Sequence, residues 1–231
     1  MLEVKRLGQN KSVVFEQEGK RVTVAGEEIL YALGRRPAVD SLDLDKAGVE
    51  MDGKAVGINA QLQTSRPHIF AVGDVAGPYE VVHTAISQGE MAARNAIKVI
   101  HEKRIWNRWI DRLHMEVIFT EPEMAGVGLN ETEAKAKKIP YLVATYPFAD
   151  HGKSMVMGAL EGFVKVLADP KSGEILGAQI AGPHASDLIH EFVVAMHFRS
   201  TVQEFLQIPH YHPTLAEIVT YPVEELAEKI S

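Results

Sequence analysis

Short apolar clusters separated by polar turns dominate the start of the chain, and helical periodicity takes over only later. Val13-Val14-Phe15 and Val22-Thr23-Val24 are β-branched or aromatic, and the Glu18-Gly19-Lys20 turn between them predicts a hairpin. The run Ile29-Leu30-Tyr31-Ala32-Leu33 predicts a buried strand ending at Gly34, after which Arg35-Arg36-Pro37 leaves the sheet as a crossover. Residues 38–64 are polar and dotted with glycine, with little periodicity. Order returns at Ile69-Phe70-Ala71-Val72, an apolar strand stopping at Gly73-Asp74. A helix follows from roughly Thr84 to Lys103, with Ile86, Met91, Ile97 and Ile100 among its expected buried positions. Strand, glycine turn and helix in succession form an α/β layer signature.

The character changes between Trp106 and Arg112, where a domain boundary is expected. Beyond it the pattern is α+β. Val117-Ile118-Phe119 and Tyr141-Leu142-Val143 read as strands, and Asn130 with Glu133 has the form of a capping box opening a short helix. Phe163 to Leu167 and Ile175 to Ile180 flank Asp169-Pro170-Lys171-Ser172-Gly173, a strong hairpin turn. Leu188, Ile189, Phe192, Val193 and Met196 recur at helical spacing, and Thr201 with Glu204 opens one more short helix.

Composition narrows the function classes. A formal charge of −7 over 231 residues disfavours nucleic acid as a partner, because phosphate contacts need clustered Lys and Arg. The basic cluster from Lys98 to Arg112 also contains Glu102 and Asp111 and reads as a solvated helix end. No apolar run reaches the length of a membrane span and no signal-peptide pattern opens the chain, so a cytoplasmic protein is expected. The count of cysteines is zero, which excludes disulfides, thiolate zinc sites and thiol chemistry by these residues alone. No metal site is expected: His184 and His190 lie six apart, which is not a zinc-helix spacing, and the eight methionines read as core filler.

Two constellations could carry chemistry. In His210-Tyr211-His212-Pro213-Thr214-Leu215-Ala216-Glu217, Pro213 suits the first turn of a helix and places His212 at its mouth. A carboxylate on that helix can accept from one imidazole nitrogen, leaving the other as a base of defined tautomer. The five-residue step from His212 to Glu217 is not a same-face spacing, so the pairing requires an irregular helix start. Most His–Glu pairs are surface accidents or caps, and on pattern alone that reading competes. In Thr64 to Asp74, an Asp at the carboxyl end of an apolar strand sits where α/β folds bind ligands, although a turn or helix cap is the commoner role. Arg35 and Arg36 read as ion-pair partners rather than ligands. Asp150-His151-Gly152-Lys153 reads as a loop.

His-Pro-Thr followed by Glu resembles the signature of the carboxy-terminal interface domain of the class I pyridine nucleotide–disulfide oxidoreductases, the flavin family of dihydrolipoamide dehydrogenase, glutathione reductase and mercuric reductase. Phe119-Thr120-Glu121-Pro122-Glu123-Met124-Ala125-Gly126-Val127-Gly128 is similar to the opening of that domain, and Gly162 to Val166 with Gly173 to Ala185 to its central hairpin and following loop. The resemblance implies His212 as the base that takes a proton from a substrate thiol in the opposite subunit's active site, with Glu217 orienting it. It implies that Gly73 and Asp74 hold the ribityl chain of FAD, and that His83-Thr84-Ala85 opens a helix aimed at the flavin pyrimidine. A helix amino terminus there would stabilise negative charge on the reduced ring. The Asp150 to Lys153 region would approach the partner subunit.

The implied fold is α/β followed by α+β. Residues 1–35 would be the last strands of a nicotinamide domain and 36–112 the rear of a flavin domain. Residues 113–231 would be an interface domain with an antiparallel sheet, mediating a homodimer. The family's Gly-rich fingerprint and Cys-x4-Cys pair are absent, since Gly126 and Gly128 lack the third glycine. The expectation is therefore the carboxy-terminal half of an enzyme using FAD and NAD(P), inactive alone, binding FAD weakly or not at all, and completed by an amino-terminal half. The alternative is a non-catalytic homodimerisation module. The ending Glu228-Lys229-Ile230-Ser231 has no cysteine pair, unlike mercuric reductases, so dihydrolipoamide dehydrogenase is the expected subtype over the mercuric or glutathione reductases. Arg199 stands where the family often has Gly, and because a non-glycine residue in a left-handed helix cap costs about 1 kcal/mol, a departure from that cap geometry is expected here.

Overall fold

The computed structural model describes residues 1–77, 79–102, 107–110 and 113–230, and the chain divides into two compact units, Met1–Trp109 and Ile110–Ser231. The expected boundary between Trp106 and Arg112 falls partly outside the described residues, as do Lys103, Asp111, Arg112 and Ser231.

The first unit opens with an antiparallel meander of β1 (Glu3–Leu7), β2 (Asn10–Gln17) and β3 (Lys20–Gly26). Val13 pairs with Val24 and Phe15 with Val22. The hairpin closes through Glu18 at φ 51 and Gly19 at φ 74, the left-handed pair that matches the twist of the strands. A two-residue ladder of β4 (Met51–Asp52) and β5 (Ala55–Val56) follows, and Val49, Val56, Ala71 and Ala76 form a small core. The helix α1 spans Val82–Glu102.

Three expectations for this unit need correction. Ile29 to Leu33 is not a buried strand: the segment is irregular, and Leu30 is 93% exposed. An apolar run becomes a buried strand only between neighbours, and it pairs with none of the described strands. Ile69 to Val72 also fails to form a strand, because its partner is a tight turn that offers a single bridge, Gln63 to Phe70. On α1, Ile86, Ile97 and Ile100 are exposed, whereas Thr84, Gln88, Ala92 and Asn95 are buried. The reason is backbone accounting in irregular chain. Gln88 Oε1 accepts from the Gly73 N–H at 2.7 Å, and Asn95 Nδ2 donates to the Gln61 carbonyl at 3.0 Å, so the polar face holds loops that have no ladder of their own.

The second unit is built on a five-stranded antiparallel sheet of β6 (Met115–Ile118), β7 (Glu123–Gly128), β8 (Leu142–Pro147), β9 (Phe163–Ala168) and β10 (Ile175–Gly182), ordered β6-β7-β10-β9-β8. Between β7 and β8 lies α2 (Glu131–Ala136), opened by the Asn130–Glu133 capping box, and between β8 and β9 lies α3 (Gly152–Met157). Asp169 Oδ1 accepts from the Lys171 and Ser172 N–H groups, and Gly173 at φ 75 completes that hairpin turn. Helix α4 (Ala185–His197) packs over β7 and β10, while α6 (Thr220–Ile230) packs over β8 and β9 and against the short α5 (Val202–Phe205). Phe148, Ile189, Phe192, Phe205, Ile218 and Leu226 fill the core between them, Phe192 stacking on Phe205 at 5.4 Å. The eight methionines are not core filler as a class: Met196 is buried, but Met51, Met124, Met155 and Met157 are exposed.

Candidate active site

The segment carrying His212 runs from the end of α5 to a 3-10 turn, Ala216–Val219, that leads into α6. His210 anchors it: Nδ1 meets the Ile208 carbonyl at 2.9 Å, and Nε2 hydrogen-bonds Glu191 on α4. Pro213 does not occupy the first helical turn as expected but precedes the N-cap, Leu215, by two residues, and its peptide bond with His212 is cis. Burial sets the helix start, since Ile218, Val219, Val223 and Leu226 must all face the core. The first turn is therefore 3-10, tighter than α, and it provides the irregular start that a five-residue step needs.

With that geometry His212 Nδ1 lies 2.8 Å from Glu217 Oε2. The imidazole side chain is 78% exposed, whereas the carboxylate side chain is only 10% exposed. An ionised carboxylate only accepts, so the network assigns a proton to Nδ1, and in the neutral form of this exposed ring the lone pair is on Nε2. The arrangement can take a proton from an approaching donor and hold it.

Glu217 has a second imidazole partner that sequence reasoning missed. His151 is the N-cap of α3, fully buried rather than in an open loop, with Nε2 3.3 Å from Glu217 Oε1 and Nδ1 2.9 Å from Ser154 Oγ. The rings of Tyr146 and Tyr221 stack beside this group at 4.3 Å, and Tyr221 meets His151 edge-on. Burial, reinforced by the Glu217 carboxylate, pushes the Tyr221 phenol above its ordinary value, so it stays neutral and adds no charge.

In the first unit, Gly73 takes φ 67 at the start of a 3-10 turn that includes Asp74. A Cβ on Gly73 would stand 2.9 Å from that of Ala85, so only glycine lets this turn close onto the start of α1. The Asp74 carboxylate is half exposed and ion-pairs with Arg35 at 3.4 Å, while Arg35 Nε reaches Glu80 at 2.9 Å and Arg36 reaches Asp40. Along α1, His83 is exposed, Thr84 buried and Ala85 half-buried, and the first turn carries no acidic residue. An Asp carboxylate that accepts from hydroxyls and the N–H groups of a helix amino terminus are kinds of group that suit a ribityl chain and the edge of a flavin. Among the described residues no cluster of three or more His, Cys, Asp or Glu could hold a metal ion, and no helix is long and apolar enough to cross a membrane. Of the two histidines six residues apart in this region, His184 is the N-cap of α4 and His190 Nδ1 bonds the Ser186 carbonyl.

Comparison with known proteins gives a consistent neighbourhood. The model described as pyridine nucleotide-disulphide oxidoreductase, dimerisation domain, matches residues 115–222, and that described as pyridine nucleotide-disulphide oxidoreductase matches residues 1–89. The dihydrolipoyl dehydrogenase of Thermus scotoductus is 36% identical over 167 residues, covering 72% of this chain and 35% of that protein. One from Bacillus subtilis is 35% identical over 173 residues, with 74% and 35% covered. The chain thus aligns with about a third of the length of these relatives. Among solved structures, LpdA of Mycobacterium tuberculosis superposes with a TM-score of 0.82 at 25% identity, over 97% of this chain and 48% of that one. The HOCl-induced flavoprotein disulfide reductase RclA of Escherichia coli shares the fold, with a TM-score of 0.78 at 22% identity over 96% of this chain and 49% of its own.

Proposed function

The chain belongs to the pyridine nucleotide-disulphide oxidoreductase family, and we propose that it supplies the His212–Glu217 acid–base pair and the homodimer interface of an FAD-dependent NAD(P)H:disulfide oxidoreductase of the dihydrolipoyl dehydrogenase type. The observation that carries this reading is the 2.8 Å bond from His212 to a nearly buried Glu217, which leaves Nε2 on an exposed ring. In the proposed reaction Nε2 takes the proton of a dithiol substrate as its sulfur attacks the enzyme's redox disulfide. Glu217 stabilises the resulting imidazolium and keeps Nδ1 protonated throughout. On the reverse passage the same nitrogen returns the proton to the leaving thiolate.

Residues 1–35, 36–112 and 113–231 then correspond to the end of a nicotinamide domain, the rear of a flavin domain and the dimerisation domain. Gly73 and Asp74 would hold the ribityl chain, and the N–H groups at His83, Thr84 and Ala85 would face the pyrimidine edge. FAD, when bound, would carry electrons between the disulfide and the nicotinamide. With zero cysteines here, the redox pair would come from polypeptide outside these residues, an amino-terminal half. Support for a homodimer comes from Ile118 at the end of β6 and Phe119 just after it, 51% and 80% exposed, and from Val194 on the adjoining α4 and Phe198 at its C-cap, 57% and 75% exposed. Mixing the purified chain with an amino-terminal half bearing Cys-x4-Cys tests the proposal. NAD(P)H-dependent reduction of lipoamide supports it, and no turnover by a folded, FAD-loaded mixture contradicts it.

A further inference from the structure

The second oxygen of Glu217 leads beyond the two-residue dyad. We propose that His151 is a positioning residue for it: its Nε2–H holds Glu217 Oε1, so that Oε2 stays on Nδ1 of His212 and the base is kept in one tautomer. The inference rests on His212 being the base.

Hydrogen-bond bookkeeping fixes the direction of the two links to Glu217. An ionised carboxylate has acceptor sites only, so both rings that meet Glu217 must present N–H. His151 therefore carries a proton on Nε2, and in the neutral ring its bare Nδ1 accepts from the Ser154 hydroxyl at 2.9 Å. The chain runs Ser154 Oγ–H to His151 Nδ1, then His151 Nε2–H to Glu217 Oε1, while His212 Nδ1–H donates to Oε2 at 2.8 Å. Ser154 and His151 are 0% exposed, so protein groups rather than water set these orientations. Position is set as firmly as direction. His151 caps α3, its N–H donates to the Phe148 carbonyl, and its carbonyl accepts from the Met155 N–H. A terminal carboxylate torsion is otherwise broad and two-fold, so with Oε1 undonated the group can turn towards another donor and release His212.

Side-chain geometry supplies a discriminating pair. The amide nitrogen of glutamine overlays Nε2 of histidine, whereas that of asparagine overlays Nδ1. His151→Gln keeps the donor to Glu217, and His151→Asn removes it while keeping a polar group of similar size. In the chain labelled with 15N-histidine, long-range ring correlations read the tautomer of His212 directly. Wild type and His151→Gln are expected to show a single Nδ1–H form. In His151→Asn, Nε2–H becomes a substantial or major population. Retention of pure Nδ1–H in a folded His151→Asn chain overturns the proposal, and so does its loss in His151→Gln, which keeps the test decisive should the asparagine variant not fold. A wild-type chain that already populates Nε2–H at His212 sinks the dyad reading itself, a distinct result.

Discussion

Glu217 takes one imidazole N–H on each oxygen, so replacing it perturbs both rings at once. Glu217→Gln can satisfy His212 Nδ1–H through its carbonyl, but its amide then donates towards His151 and forces that ring to the other tautomer. Activity of the assembled enzyme should fall between that of wild type and that of a variant lacking His212, with the binding of nicotinamide unchanged; wild-type turnover would count against an orienting role. A second carboxylate acts on structure alone. The N-cap of α4, His184, sits at φ 55 without a side-chain cap, and Glu123 from β7 substitutes by accepting the Ser186 N–H at 2.9 Å. That bond, with help from the Ser186 hydroxyl, holds the Glu123 carboxyl below its ordinary 4.5. A depressed folded value means the contribution is complete above about pH 4.5 and is lost as pH falls through the lower folded value. Glu123→Gln should melt lower than wild type at neutral pH, and the two melting curves should converge in acid. At this scale His212 and Glu217 were legible because they are near neighbours in sequence, whereas His151 is 66 residues from its carboxylate and nothing in Asp-His-Gly-Lys marks it as buried.

Elements whose ends carry their own chemistry were readable from sequence. Both capping boxes form, Asn130 accepting from the Glu133 N–H and Thr201 from that of Glu204, and the Asp169 to Gly173 turn closes its hairpin. Asn130→Ala should lower stability by about 1 kcal/mol in urea denaturation. Arg199 adopts the left-handed cap despite lacking glycine's freedom, at φ 57, against the expected departure from that geometry, and its ion pair with Glu174 is exposed and worth little. Arg199→Gly should therefore stabilise the protein by roughly 0.5–1 kcal/mol; a loss of stability would contradict this account of the cap. Segments whose fate depends on distant partners were not legible. Ile29 to Leu33 has strand composition but pairs with no strand among the described residues, and α1 buries Gln88 and Asn95 because loop backbone around Gly73 and Gln61 needs their side chains. Periodicity reports which face is apolar, not which face is required elsewhere.

At the scale of the molecule, two units with different cores carry two halves of one proposed chemistry: a turn and helix start proposed to face the flavin in the first, and an imidazole proposed to accept the proton in the second. The exposed Ile118, Phe119, Val194 and Phe198 predict self-association through the second unit. Sedimentation should show a dimer at micromolar concentration, and Phe119→Lys should shift it towards monomer; a wild-type monomer throughout would remove the interface from the proposal. The central claim, that His212 moves the proton of thiol–disulfide exchange, is tested most directly by rapid-mixing kinetics on the assembled flavoenzyme with His212→Gln. Dithiol-driven flavin reduction should slow by about 10²–10⁴-fold, while flavin reduction by NAD(P)H keeps its wild-type rate. Equal rates in variant and wild type for the dithiol step would contradict the claim.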